Sequence, residues 1–328
     1  MAFFLDFVAV SETIGAILSL ITNSILLTLL LSYKHNKLGT YKYLMISCCF
    51  VQMIYSTTNF SSHMRAHSTN ASYVLFREYK GSNRKFAPFL LLQFCWMYTT
   101  QIAILCIHFF YRYISLWQFL STSKLHWFDR KRLYLWIALA VFFGFSIVVL
   151  KYTFLGENDY LTEHLRYDFA KSYGLRMEEV VYNGPIFYQG LENKKPIGVW
   201  VTIGILMFGM MTCYTSMLFF GIMSYIKLKH RKTMFTMSEK TRYLQKQLLI
   251  ALMIQATIPS LLIYIPAELL FISPVFKLGL GPLANISMCC LAIYPPFDQF
   301  GVIYIIKDFR TTLKTFVIKS WTKSTISS

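Results

Sequence analysis

The chain has 328 residues, of which 55% are hydrophobic and only 14% are charged, and its mean hydropathy is +0.47. Because ordinary soluble domains carry about 25% charged residues, this composition excludes a soluble protein and indicates an integral membrane protein. The long apolar runs also exclude an outer-membrane barrel, whose strands alternate apolar and polar residues over about ten positions.

Seven apolar runs predict seven helices, each long enough to cross a hydrocarbon core about 30 Å thick. The predicted helices cover approximately residues 8–33, 40–62, 88–112, 132–154, 196–226, 247–272 and 279–306. The expected fold is therefore an all-α membrane protein with a seven-transmembrane helix bundle over residues 1–306. The first seven residues carry no Lys or Arg, so we expect no cleavable signal.

The remaining residues, 307–328, are expected to form a cytoplasmic tail with a short amphipathic helix along the membrane surface. This expectation depends on apolar side chains that fall near one helical face: Phe309, Leu313, Phe316, Val317 and Trp321. A frayed basic tail is the alternative interpretation.

The net charge of +17 is unevenly distributed between the two sides of the predicted bundle. The loops after the first, third and fifth helices and the tail carry 20 Lys and Arg residues and three acids, whereas the opposite side carries 12 basic and ten acidic residues. Lys and Arg concentrate on the cytoplasmic side of membrane proteins, so we expect the N-terminus outside and the C-terminus inside. The basic excess then reflects topology and contact with anionic lipid, and no nucleic-acid binding is expected. An Asn-X-Ser glycosylation acceptor at Asn70 lies in a loop that this orientation places outside.

The sixth predicted helix contains two prolines, Pro259 and Pro266, which are seven residues apart and therefore lie on similar faces. Proline lacks an N–H group, so each one frees a carbonyl four residues earlier, at Gln255 and Leu262. A spanning helix that bends at these points and follows a basic loop suggests a moving part. A static kinked helix is an equally good interpretation.

Two charged groups lie within or at the predicted inner ends of the helices. Asp298 follows Tyr294-Pro295-Pro296 in the seventh helix, and Arg112 ends the third helix beside Tyr113. Charged groups in lipid are costly and commonly functional, so Asp298 is a candidate switch that holds the seventh helix to a partner in one state. Permanent pairing of Asp298, or capping of helix carbonyls by Arg112, remains the alternative.

Polar side chains in the outer halves of the third and sixth helices form a candidate ligand pocket: Tyr98, Thr99, Gln101, Tyr264 and Glu268. Hydrogen bonding between helices explains such residues equally well. The sequence contains no metalloprotease, nucleotide-binding or nucleophile-elbow motif, and its seven cysteines show no metal spacing. We therefore expect no enzyme activity, no cofactor and no metal.

Several stretches, spread in order over most of the chain, resemble the nematode seven-transmembrane chemoreceptors of the str class. They are LGTYKYLMI at 38–46, HFFYRY at 108–113, MEEVVYNGPIFY at 177–188, LQKQLLIALMIQATIP at 244–259, YIP at 264–266, YPPFD at 294–298 and IIKDFR at 305–310. The resemblance implies an odorant-type G-protein-coupled receptor in the plasma membrane of sensory cilia. A small apolar or volatile ligand and a heterotrimeric G protein are then the implied partners.

The resemblance also implies roles for two inner sites. Arg112 matches the inner arginine of the third helix in G-protein-coupled receptors, and residues 294–298 match the inner proline motif of the seventh. The chain departs from the family at Gln299, where members often have proline, and its long outer loop contains no cysteine. A disulfide from that loop to the third helix is therefore excluded.

A transporter or channel is the alternative class, because broken helices with embedded acids also suit ion and substrate paths. Seven crossings do not divide into equal inverted repeats, which argues against it. A receptor-like scaffold that binds no ligand is a third possibility.

Overall fold

The computed structural model describes residues 2–32, 41–79, 84, 86–117, 128–188, 197–229 and 239–315. Seven segments run back and forth through one bundle: α1 (Ala2–Ser32), α2 (Tyr41–Ser62), α3 (Ala87–Trp117), α4 (Arg130–Phe154), α6 (Ile197–Lys229), α7 (Glu239–Pro259) continued by α8 (Ile265–Ile272), and α9 (Asn285–Ile305). A further helix, α5 (Asp159–Tyr173), and three strands, β1 (Arg65–Ser68), β2 (Tyr73–Glu78) and β3 (Val180–Asn183), lie at one end. We call this end of the bundle the sheet end. We call the opposite end, at which α3 finishes, the Arg112 end.

Six of the seven segments in the described part of the chain are long and apolar enough to cross a membrane. The seventh, α2, has 22 residues and buries several polar side chains inside the bundle: Gln52, Ser56, Thr58, Asn59 and Ser62. Its polar groups therefore face protein and not lipid, as polar groups in a spanning helix must. The chain is a multi-pass membrane protein, and the predicted seven-helix bundle is confirmed.

The helices differ in how much of their surface the bundle covers. The α9 helix packs against α1, α2 and α7 and is the most buried, whereas α4 and α6 leave large apolar side chains on the outside. The α1 and α9 helices approach very closely at Gly15, where a Cβ atom would lie 2.3 Å from the Ala292 carbonyl oxygen. Glycine is required there because any side chain would push the two helices apart.

The sixth spanning segment changes helix type between its two prolines. The α7 helix ends at Pro259, one π-helical turn covers Ser260–Tyr264, and α8 begins with Pro266 in its first turn. The Ser260 hydroxyl donates to the Ala256 carbonyl at 2.6 Å, and the Ser287 hydroxyl of α9 donates to the Pro266 carbonyl at 3.0 Å. Side-chain donors thus satisfy carbonyls near the break, as expected for interrupted helices in lipid.

Several helix ends differ from the predicted bounds. The α3 helix continues five residues past 112, to Trp117. The α7 helix begins at Glu239 instead of 247, because the largely charged and polar residues before the apolar run form further helical turns. The last helix begins at Asn285 and not at 279, because Gly281 has a φ of 54°, which interrupts a right-handed helix. In the tail, residues 307–315 are helical, and Phe309 is buried in the cluster that contains Tyr41. Leu313 packs against the same cluster, whereas Phe316, Val317 and Trp321 lie outside the described residues.

The sheet end is a small folded layer that the sequence analysis assigned to loops. The strands pair antiparallel in the order β1-β2-β3, with Arg65 opposite Phe76 and Leu75 opposite Asn183. The α5 helix begins at Asn158, whose side chain accepts from the Leu161 N–H at 2.8 Å. It packs its apolar face on the sheet through a cluster that includes Phe76, Leu161, Leu165, Phe169 and Val180.

The sheet is attached to the bundle by buried polar contacts. Arg65 Nη1 donates to Glu12 Oε1 of α1 at 2.9 Å, and both side chains are buried. The Ala66 N–H donates to Asn285 Oδ1 of α9 at 3.0 Å. The sheet is therefore held directly over α1 and α9.

His67 of β1 is enclosed between the sheet and α5. Its Nδ1 atom lies 3.1 Å from the Tyr173 hydroxyl, and its ring meets the edge of Phe169. Burial lowers the pKa of His67 to about 4, although the nearby Asp168 carboxylate opposes this change. The folded protein therefore keeps His67 neutral at pH values where an unfolded chain, with a pKa of about 6.5, would protonate it.

We expect His67 to make the fold sensitive to acid. Below about pH 6.5 the unfolded chain gains a proton that the folded chain does not bind, so stability falls, by about 2 kcal/mol at pH 5. The His67→Gln variant should lose less stability than the wild type between pH 7.5 and 5, measured as the thermal unfolding midpoint in lipid nanodiscs. An unchanged pH dependence in His67→Gln would contradict this account.

Candidate functional site

A network of buried polar side chains joins α2, α3 and α9 in the middle of the bundle. Gln52 Nε2 donates to Asp298 Oδ2 at 2.7 Å, and Gln299 Nε2 donates to Gln52 Oε1 at 2.6 Å. Gln101 Nε2 donates to the Tyr294 hydroxyl at 3.2 Å, and Gln52 Nε2 lies 3.4 Å from that hydroxyl. Asp298 is only 2% exposed, and a carboxylate at this depth needs donors. We call these five residues the Asp298 network.

A second polar cluster lies nearer the Arg112 end. The Arg112 guanidinium lies 5.0 Å from the centre of the Tyr41 ring in α2, and that ring stacks on Tyr111 with 5.6 Å between centroids. His108 Nε2 is 2.8 Å from the Tyr41 hydroxyl. A cation over an aromatic face is attracted by the ring's electron density. Arg112 is 3% exposed, so in this arrangement it joins α3 to α2. We call these four residues the Arg112 layer.

A cavity lies between α3, α4, α6, α8 and α9 at the sheet end. Its walls are mainly apolar, with Phe94, Ile102 and Met210 among them, and Leu75 of β2 lies over it. The polar side chains of the described lining are Tyr98, Thr99, Lys151 and Ser287.

The cavity, the Asp298 network and the Arg112 layer follow one another along α3. Thr99 and Ile102 line the cavity, Gln101 belongs to the network, and Arg112 lies eleven residues later, or about 16 Å along the helix. The α9 helix has the same order, because Ser287 and Leu291 line the cavity before Tyr294 and Asp298 enter the network. The three sites therefore form a stack, in this order, from the cavity toward the Arg112 end.

A sequence model of one protein family matches a range that contains the cavity, the Asp298 network and the Arg112 layer. The model described as "Serpentine type 7TM GPCR chemoreceptor Str" matches residues 8–314. The chain belongs to the Str class of serpentine chemoreceptors. The resemblance noted from the sequence motifs is thereby confirmed.

The receptor is similar to named nematode receptors over nearly its full length. "G-protein coupled receptor str-33" of Caenorhabditis elegans is 24% identical over 310 residues, which cover 92% of this chain and 88% of that protein. "Serpentine receptor class r-10" of the same species is 27% identical over 318 residues, covering 94% and 90%. "G-protein coupled receptor str-217", also from that species, is 26% identical over 314 residues, covering 94% and 89%.

The structure divides the predicted ligand-binding residues of this Str receptor between different sites. Tyr98 and Thr99 line the cavity, whereas Gln101 is part of the Asp298 network. Tyr264 is buried against Tyr214, with ring centroids 4.6 Å apart. Glu268 is partly buried on α8 and is not part of the described cavity lining. Ligand contact at all five positions stays a prediction.

The predicted switch residues occupy two of the described sites and the break in the sixth segment. Tyr294, Pro295 and Asp298 are buried in α9, and the Arg112 layer lies below them. Tyr113 contacts Lys227 of α6, whose Nζ lies 4.5 Å from the ring centre. The remaining three, Gln255, Pro259 and Pro266, lie in or beside the interrupted sixth segment, and Gln255 is buried. The geometry does not test whether the predicted switch residues act in switching, so that role stays a prediction.

Several residues that contribute to these sites were not selected from the sequence, among them Tyr41, Gln52, Lys151 and Gln299. Gln52 had a visible signal, because it is an amide within an otherwise apolar stretch of α2. Gln299 stands where family members often have proline, and the structure gives it a bond to Gln52. Lys151 falls within the fourth predicted helix, 132–154, but the sequence does not show that it lies in a cavity wall.

Asn70 is exposed in the turn between β1 and β2, so its side chain is accessible for glycosylation, which stays a prediction. Two other acceptor asparagines, Asn59 and Asn285, are buried in helices. All seven cysteines are free thiols in the spanning helices. Within the described residues, no group of three His, Cys, Asp or Glu side chains could hold a metal ion.

Proposed function

We propose that this receptor is a chemosensory G-protein-coupled receptor, which binds a small, largely apolar ligand in the cavity at the sheet end and activates a heterotrimeric G protein at the Arg112 end. One observation carries the proposal: the Asp298 network lies between the cavity and the Arg112 layer and bonds α2, α3 and α9 together. A ligand that prefers another arrangement of these helices would shift the equilibrium by its difference in affinity.

The same proposal assigns an orientation. The sheet end with Asn70 faces outside, and the Arg112 end faces the cytosol with 20 of the 32 basic residues. We also propose a plasma-membrane location in the cilia of sensory neurons, which the membership of the family supports only in general terms. An epitope tag fused after Ser328 should be stained only after permeabilisation of expressing cells. Staining of intact cells would contradict the orientation.

Arg112 is the residue whose loss should reduce coupling most directly. The Arg112→Ala variant is expected to lower G-protein activation at least tenfold, while its surface expression stays near the wild-type level. The measurement is GTPγS loading of a panel of Gα subunits by the receptor in nanodiscs.

The matched control is Arg132→Ala, which removes an exposed positive charge from α4 at the same end of the bundle. It should activate as the wild type does. Equal activation by Arg112→Ala and the wild type would remove Arg112 from the mechanism.

A further inference from the structure

We propose that the ligand carries a carboxylate or similar anionic head on an apolar body, and that Lys151 binds this head within the cavity. The inference rests on the proposed function, because it takes the cavity as the ligand site. It goes further by assigning the chemical class of the ligand and the residue that selects it.

Most of the Lys151 side chain is buried in the cavity wall, and no acid of the described lining lies beside it. It lies on α4, lines the cavity, and is only 5% exposed. Within the described part of the chain, its ammonium group makes no ion pair, hydrogen bond or ring contact. Burying a charge without a counter-charge is unfavourable, and a ligand anion would supply the missing partner.

No acidic residue in the rest of the described cavity wall competes with a ligand anion for Lys151. The apolar side chains of the wall would contact an apolar ligand body. Among the described lining residues Lys151 is the only charged one, and no acid is present to neutralise it. Thr99 and Ser287 already donate their hydroxyls to backbone carbonyls. The Tyr98 hydroxyl is buried and has no partner, so it is a second donor for the same head group. Phe94, Ile102 and Met210 would contact the apolar body.

A lysine near a helix end commonly extends its ammonium into water, and Lys151 is one turn from the end of α4. Here β3 packs against that end of α4. Asn183 of β3 donates from Nδ2 to the Lys151 carbonyl at 3.2 Å, and Leu155 is buried one turn beyond. The Lys151 residue lines the cavity and is only 5% exposed, unlike a lysine whose whole side chain extends into water. The local structure therefore favours a role inside the cavity.

The experiment compares three probes of equal chain length: hexanoate, methyl hexanoate and 1-hexanol. Purified full-length receptor in lipid nanodiscs is unfolded by heat, and a thiol-reactive dye reports the exposure of its seven helical cysteines. Hexanoate is expected to raise the unfolding midpoint at a concentration at least tenfold lower than the ester or the alcohol. Lys151→Met should abolish this preference without changing the response to the ester, and Lys151→Arg should retain it.

The matched control is Lys171→Met, which removes an exposed positive charge from α5 at the same end of the receptor. It should keep the full preference for hexanoate. Equal potency of the three probes on the wild type, no stabilisation by hexanoate, or a preference that persists in Lys151→Met would each overturn the inference.

A G-protein readout separates this inference from the proposed function. If hexanoate stabilises the receptor through Lys151 but never increases GTPγS loading, the inference stands and the proposed coupling fails. If neutral ligands alone increase GTPγS loading, the coupling stands and the role of Lys151 is contradicted.

Discussion

Replacing Glu12 with alanine is expected to lower the free energy of unfolding by about 3–5 kcal/mol, because the change leaves the buried Arg65 without its counter-charge. Arg65 Nη1 lies 2.9 Å from Glu12 Oε1, and the two residues are 8% and 1% exposed. The pair joins β1 to α1, so its loss should also loosen the sheet over the cavity. The measurement is the thermal unfolding midpoint in nanodiscs, together with the amount of receptor at the cell surface.

Two further variants separate the charge effect from lost packing. The double variant Glu12→Ala/Arg65→Met removes both charges and should recover most of the loss, because no uncompensated charge remains. The control Glu163→Ala breaks an exposed ion pair, Arg166–Glu163 at 2.9 Å, and should change stability by less than about 1 kcal/mol. A Glu12→Ala midpoint equal to that of Glu163→Ala would show that the buried pair contributes nothing.

Replacing Gln52 with leucine is expected to raise ligand-independent nucleotide exchange at least about tenfold. In the structure Arg112 is packed against Tyr41 and is 3% exposed, so a cytosolic protein cannot reach it in this arrangement. We therefore interpret the arrangement as the uncoupled one. Gln52 stabilises it by donating to Asp298, and a hydrogen bond to a charged group contributes about 1.5–3 kcal/mol.

Without Gln52, the Asp298 carboxylate keeps the Gln299 donor, at 3.5 Å, and the Tyr294 hydroxyl. The loss of 1.5–3 kcal/mol corresponds to about ten- to hundredfold in the equilibrium between arrangements. The matched control is Asn23→Leu, which removes a buried amide whose bonds stay within α1. Basal GTPγS loading should stay at the wild-type level in Asn23→Leu. A Gln52→Leu receptor that is normally expressed but has wild-type basal loading would contradict the role of the network.

The helices were predictable from the sequence because apolar length alone decides them. The sheet end was not, because its strands have only four to six residues and lie among charged side chains. Their burial depends on α5, which packs on them only after the chain has folded. Glu12 shows the same limit, since its partner Arg65 lies beyond a whole spanning helix in the sequence.

The partners of the buried polar groups also lay beyond sequence reasoning. A spanning helix that is apolar on all sides does not reveal which face meets its neighbours, so Asp298 could be identified but Gln52 could not be paired with it. For the same reason the sequence analysis assigned Gln101 to the ligand pocket, whereas in the structure Gln101 donates a hydrogen bond to the Tyr294 hydroxyl. Lys151 was predicted to lie inside the fourth helix, and only the structure shows that it lines a cavity.

The most direct test of the whole account is basal GTPγS loading by the Gln52→Leu receptor with and without Arg112→Ala, because it needs no ligand. We expect Gln52→Leu to load Gα at least about tenfold faster than the wild type, and the added Arg112→Ala change to abolish the increase. An increase that survives the loss of Arg112 would contradict the claim that the network controls access of a G protein to the Arg112 end.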